Sequence, residues 1–138
     1  MLRSVDLKDY MQPSPITIQP TSSLQEAVGL IIEHKVSGIC VVDNDNKLLG
    51  ILSEMDCLGG ILAATYNQGG LNNVSEYMTA DVDVARLDEN IVSVASDMMS
   101  KQQRRRPVVE NGKLIGQITC RQLLRAVEEF PQPCHQVA

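Results

Sequence analysis

Apolar positions along this chain follow two periods, and the periods come in the same order twice. Leu24, Ala27, Val28, Ile31 and Ile32 recur at i, i+3, i+4, i+7 and i+8, which is one face of a helix. Ser23 and Glu26 stand where a capping box would open it, each satisfying a free backbone N–H. Ile16-Thr17-Ile18 alternates as a brief strand. Gly38 to Asp43 reads as a fully apolar strand, with Lys47 to Leu52 as its hairpin partner across the turn formers Asp43-Asn44-Asp45-Asn46. Ahead of these, Val5 to Met11 reads as a short helix that Pro13 and Pro15 stop. After them a helix is expected from about Ser53 through Ala64. Gly59-Gly60 lies inside it, at a cost of about 1 kcal/mol per glycine against alanine. Either these glycines make a smooth packing surface with Ala63-Ala64, or the helix ends early at Leu58.

The second half repeats the order. Val82-Asp83-Val84 is the expected short strand and Ile91 to Ser100 the amphipathic helix. Pro107 to Glu110 and Lys113 to Ile118 form a hairpin around Asn111-Gly112, a dipeptide suited to the two positive φ angles of a type I′ turn. Arg121 to Phe130 closes the chain as a helix, which Pro131 and Pro133 end; the tail beyond Phe130 carries no structural signal.

The match extends to individual residues. Tyr10-Met11 returns as Tyr77-Met78, 67 positions later, and Lys47-Leu48-Leu49-Gly50 returns as Lys113-Leu114-Ile115-Gly116, 66 positions later. Leu24, Ala27, Val28 and Ile31 correspond to Ile91, Val94, Ala95 and Met98; Val41-Val42-Asp43 corresponds to Val108-Val109-Glu110. Such duplication decides the architecture. It predicts an α+β fold of two repeats, residues 1–66 and 67–138, joined near Asn67-Gln68-Gly69-Gly70. Each repeat would hold a short three-stranded sheet plus helices. A pseudo-twofold axis would relate them and leave clefts between them.

Composition narrows the chemistry. Apolar residues make up 43% of the 138, enough for a packed interior. The net charge is −5, but residues 1–69 hold 4 Lys+Arg against 8 Asp+Glu, while residues 70–138 hold 8 against 9. With no Trp and a single Phe, the chain lacks the basic footprint and stacking aromatics of a nucleic-acid binder. No apolar run approaches a membrane span, and the start has no signal-peptide core, so a cytoplasmic address is expected. Cys40, Cys57, Cys120 and Cys134 show no CxxC spacing, with only His34 and His135 to join them. Free thiols are expected, and no metal site. His34, at a helix end, reads as a surface or capping residue.

The order of elements, the Tyr-Met anchors, the Val41-Val42-Asp43 strand and the stretch Gly50-Ile51-Leu52-Ser53-Glu54-Met55-Asp56 resemble a tandem cystathionine-β-synthase (CBS) domain pair, or Bateman module. The resemblance covers about residues 5 to 129. It implies a stand-alone regulatory module with no catalysis of its own and no required cofactor. Such modules bind AMP, ADP, ATP or S-adenosylmethionine between the repeats, form homodimers through helices and regulate a partner protein. Which partner, the sequence does not say. A ligand-free dimerisation or docking platform is the alternative, favoured by Gln122, Cys40 and Met55.

The resemblance also assigns candidate residues. In the family motif a hydroxyl meets phosphate and a carboxylate meets the ribose hydroxyls; repeat 1 carries both as Ser53 and Asp56. Repeat 2 keeps the hydroxyl as Thr119 but has Gln122 in place of the acid. Without charge assistance that bond is roughly half as strong, so one good site and one weak or empty site are expected. Ser53-x-x-Asp56 and Thr119-x-x-Gln122 both read equally as capping boxes. Arg104 and Arg105, three and two positions before Pro107, match family residues that reach phosphate, and a planar guanidinium suits that task. The alternative is a solvated basic turn. Pro15, Ile16, Thr17, Gly38 and Ile39 are the expected surroundings of the adenine, with ordinary strand and core residues as the competing reading.

Overall fold

The computed structural model describes residues 4–128. Helix α1, Leu24–His34, forms where a start signal and an apolar face coincide. Ser23 Oγ accepts from the Glu26 N–H at 3.0 Å, and Leu24, Ala27 and Ile31 are buried. Strand β3, Gly38–Val42, is buried throughout and pairs antiparallel with β4, Leu48–Ser53. The connecting turn is held by the Asp43 carboxylate, whose Oδ1 accepts from the N–H groups of Asp45 and Lys47 at 2.9 Å each. On the other side of β3 lies β2, Thr17–Ile18, in parallel register with Thr17 opposite Cys40. The second sheet is built from β1, Gln12–Pro13, β6, Lys113–Thr119, and β5, Arg105–Glu110, in the order β1-β6-β5. At the β5–β6 turn, Asn111 and Gly112 have φ of 54° and 80°, the two positive angles that the dipeptide predicts. Helices α2, Glu54–Asn67, α3, Ile91–Ser100, and α4, Cys120–Glu128, complete an α+β fold of two three-stranded sheets plus helices.

The compact units are not the contiguous halves. One unit gathers the chain up to Ser14, Val84–Glu110, and the chain from Ile115 onward; we call it unit 1. Unit 2 gathers Pro15–Asp83 and Asn111–Leu114. Each sequence repeat therefore gives its leading segment to the other unit. Leu7 and Tyr10 pack in a core with Ile91, Val94, Met98, Val108 and Ile118, whereas Val74 joins Leu24, Ile31, Ile39, Val41 and Leu52. The backbone bonds repeat as well. Ile91 N–H donates to Val5 O at 2.8 Å in unit 1, as Leu24 N–H donates to Asn72 O at 3.2 Å in unit 2.

This exchange explains the motif glycines. A Cβ on Gly50 would lie 2.5 Å from Thr79 O, and one on Gly116 would lie 2.7 Å from both Gln12 O and Met11 Sδ. Ile51 and Thr79 exchange two 2.9 Å backbone bonds at that close approach. Only glycine leaves room for the incoming segment.

Two sequence expectations are corrected, and one open alternative is decided. Val5 to Met11 is not an α-helix but a 3-10 turn at Leu7–Asp9 followed by β1, because seven residues ahead of Pro13 and Pro15 are too few to repay helix nucleation. Val82-Asp83-Val84 is not a strand. The residue that bridges to β5 is Ala85, in parallel register with Val108, and the flanking valines are only half-buried. Helix α2 does not end at Leu58. Gly60 packs against the Tyr77 ring, where a Cβ would come within 2.7 Å, while Gly59 has nothing within 4 Å. The expected end of the last helix at Phe130, with Pro131, Pro133 and the tail, lies outside the described residues.

The two adjacent glycines should therefore respond oppositely. Gly59→Ala is expected to raise the urea midpoint, worth up to about 1 kcal/mol in a helix interior. Gly60→Ala and Gly50→Ala should lower it, by about 1–3 kcal/mol for forced overpacking.

Candidate functional site

Strand register brings the repeat 1 candidates to one end of the unit 2 sheet. Gly38 pairs with Ser53 and Ile39 with Leu52, so the start of β3 lies beside the end of β4. Thr17 lies opposite Cys40, and continuing this parallel register backwards carries Ile16 and Pro15 toward the same end. Chain direction then places the first turn of α2 there, with Glu54 N–H bonded to Ser37 O at 2.9 Å.

At that helix start, Ser53 and Asp56 form a complete capping box. Ser53 Oγ accepts from the Asp56 N–H at 3.1 Å, and Asp56 Oδ2 accepts from the Ser53 N–H at 2.9 Å. Both residues are half-buried. The bond to Oδ2 fixes the carboxylate's rotamer without exhausting it, since a carboxylate has about four lone-pair positions. Its negative charge also sits favourably at the positive end of the helix. Around it, Pro15 and Gly38 are buried, and Ile16 and Thr17 are half-buried. Ile39 is 2% exposed and packs in the unit 2 core, the place that the competing reading of an ordinary core residue expects.

The repeat 2 candidates meet in unit 1 by the same register. Arg104 O accepts from the Cys120 N–H at 3.0 Å, the counterpart of the Ser37–Glu54 bond. Thr119 N–H donates to Gln122 Oε1 at 3.0 Å, and Gln122 N–H donates to Thr119 Oγ1 at 3.3 Å. Gln122 thus caps as Asp56 does, with a neutral amide. Arg104 is exposed and Arg105 half-buried at the start of β5. The two helix starts differ in charge. The first turn of α2 carries Glu54 and Asp56, whereas that of α4 carries no acid and includes Arg121.

Arg106 was not among the sequence candidates, yet it is the most unusual side chain in unit 1. Only 4% exposed, it donates through Nη2 to Asp97 Oδ2 at 2.9 Å and to Gln103 Oε1. Its Nε is buried without a hydrogen-bond partner. Strand alternation was the available signal: Arg106 lies two positions from Val108, which faces the core. Asp97 also meets Lys101 at 3.2 Å. Hydrogen bonds from Lys101 and then Arg106 hold its carboxyl below the usual carboxylate range.

Other sequence candidates take ordinary places. His34 Nδ1 lies 3.1 Å from Leu30 O at the end of α1. Cys40 and Cys57 are buried and Cys120 is exposed, all as free thiols, while Cys134 and His135 lie outside the described residues. Among the described residues no group of three or more His, Cys, Asp or Glu could hold a metal ion, and no helix is long and apolar enough to cross a membrane.

Comparison with known proteins follows the sequence repeats. A family model for the CBS domain matches residues 7–63 and 74–129. The protein MJ1225 of Methanocaldococcus jannaschii is 29% identical over 113 residues, 82% of this chain and 39% of that protein. The chain therefore spans about two fifths of that curated relative. Among solved structures, CBSX2 of Arabidopsis thaliana in complex with AMP matches with a TM-score of 0.83 and 29% identity, over 94% of this chain and 100% of that one. The CBS domain pair of protein MJ0100, in complex with 5-methylthioadenosine and S-adenosyl-L-methionine, matches with a TM-score of 0.75 and 28% identity, over 88% and 98% respectively.

Two measurements check this description. Burial, then the neighbouring charges of Asp56 and Glu54, raise the Cys57 thiol above its ordinary pKa. Alkylation of the native protein at neutral pH should therefore modify Cys120 well before Cys40 or Cys57, as read by peptide mass spectrometry. For Asp97, a lowered folded-state pKa means a contribution present above the unfolded value and lost as pH falls through the folded one. Melting curves taken from neutral to acid pH should lose stability in that window, and Asp97→Asn should remove this component of the loss.

Proposed function

Because the chain belongs to the CBS-domain family, we propose that it is a non-catalytic regulatory module that senses an adenosine-containing ligand and modulates a partner protein. The observation that carries this reading is the half-buried Asp56 carboxylate, oriented by its bond to Ser53 N–H at the end of the β2-β3-β4 sheet. A carboxylate held this way accepts from two neighbouring hydroxyls at once, the arrangement a ribose presents. Ser53 and the start of α2 contribute a hydroxyl and backbone N–H groups, which favour a phosphate. The Pro15-Ile16-Thr17 segment, with the backbone at Gly38, is assigned to the base. In unit 1, Arg104 and Arg105 are assigned to phosphate, and Thr119 and Gln122 to a weaker counterpart of the Ser53–Asp56 pair. Further support comes from the related structures that contain AMP, or 5-methylthioadenosine and S-adenosyl-L-methionine.

Ligand occupancy regulates only through differential affinity, by favouring whichever conformation binds more tightly. A homodimer is part of the proposal. Met55, Leu58, Leu62 and Tyr66 are all exposed on α2, at helical spacing that makes one apolar stripe. The same stripe favours the second reading, a docking platform that needs no ligand.

Thermal-shift titration with AMP, ADP, ATP and S-adenosylmethionine separates the two. The sensor reading expects stabilisation that grows with ligand concentration; none at millimolar ligand favours the platform. Asp56→Asn keeps the capping acceptor while removing the charge, and should weaken binding by about tenfold or more, the worth of a charge-assisted bond. Gln122→Ala should change affinity much less. Equal and negligible effects of both would remove Asp56 from the site.

A further inference from the structure

Burying a guanidinium is unfavourable unless its donors are paired. Arg106 nonetheless occupies a core-facing position of β5, and its Nε has no hydrogen-bond partner. Its compensation comes from Asp97 on α3 and from Gln103, which lies in the short segment between α3 and β5. That segment is fastened at several points. Gln103 N–H donates to Met98 O at 2.9 Å, Gln102 adopts a left-handed φ of 56°, and Arg104 O accepts from Cys120 N–H at the start of α4. Arg104 and Arg105 emerge from this fastened stretch. Three consecutive guanidinium groups repel one another, and the Asp97 carboxylate offsets the charge of Arg106.

We infer that Arg106 is a positioning residue. By tying the Gln103 segment to α3, it holds Arg104 and Arg105 ready for an anion, and so gives the module its preference for phosphorylated over unphosphorylated adenosine compounds. This rests on the adenosine-sensing reading above. Arg106 touches no ligand in this scheme. It acts through the backbone that presents its two neighbours, and Asp97 is its necessary counter-charge.

The test compares dissociation constants for ATP and for adenosine by calorimetry on the full chain. Arg106→Met suits it, because replacing a buried ion-paired residue by an apolar one of similar volume is often neutral or stabilising. The expected result is about a tenfold weaker affinity for ATP, the loss of one charge-assisted restraint, with adenosine affinity unchanged. Arg106→Lys, whose single Nζ can stand in for Nη2 but on a stem of different shape, should restore part of the ATP affinity. Asp97→Asn should give the same split between the two ligands. A purely structural Arg106 would weaken ATP and adenosine alike, and that result overturns the inference while leaving the sensor reading intact. An unchanged ratio in both Arg106→Met and Asp97→Asn overturns it too. A wild-type chain that binds neither ligand overturns the sensor reading itself, and this inference with it.

Discussion

The structure turns on close approaches between backbones, made where a side chain would have stood. At Gly50 and Gly116 each hairpin accepts a segment that began in the other sequence repeat. The incoming methionine brings its thioether, Met78 at Gly50 and Met11 at Gly116, and the space left by the missing Cβ lets it and the adjoining backbone settle against the sheet. Without those segments, the Leu24–Ile31 face of α1 and the Ile91–Met98 face of α3 would each leave apolar surface uncovered. Small units of this size depend heavily on every buried residue, so the reciprocal loan is a condition of folding.

The proposed ligand-binding chemistry is built from the same economy. Ser53 and Asp56 open α2 as a capping box, and the bond that satisfies the helix start also aims the carboxylate. In the proposed site, stability and recognition thereby share atoms. A capping acid replaced by alanine would lose both together, which is why an isosteric amide is the more informative change. In unit 1 the cap survives with Gln122 and the charge does not. What unit 1 has instead is a basic helix start beside Arg104 and Arg105, so the two duplicated frames have diverged in electrostatics while keeping their hydrogen-bond pattern.

Much of this was legible from residues alone. The faces of α1 and α3, the apolar β3 strand and the Asn111-Gly112 turn follow from periodicity and backbone preference, which are local properties. The leading segments were not legible, because a 3-10 turn and a two-residue strand are too short to show a period, and the exchange between units is a long-range fact. Val82 and Val84 suggested a strand by alternation, yet pairing fell to Ala85. Helix α2 outlasted its glycines because Tyr77, distant in sequence, needed the space at Gly60. For the site, Ser53 and Asp56 were visible as a motif but ambiguous in role, since capping and ligand binding call for the same groups. Arg106 was hidden inside a run of arginines, although its two-residue spacing from Val108 already marked it as inward.

The exchanged segments also bear on how such a chain can change over generations. Met11 is matched to Gly116 and Met78 to Gly50, so each repeat's opening residues have to fit the opposite repeat's hairpin. Recombination that swapped one repeat wholesale for a diverged copy would put a foreign thioether against a resident glycine at both places. Shape therefore ties the duplicated pair into one evolutionary unit, while the charge at the two helix starts is free to differ.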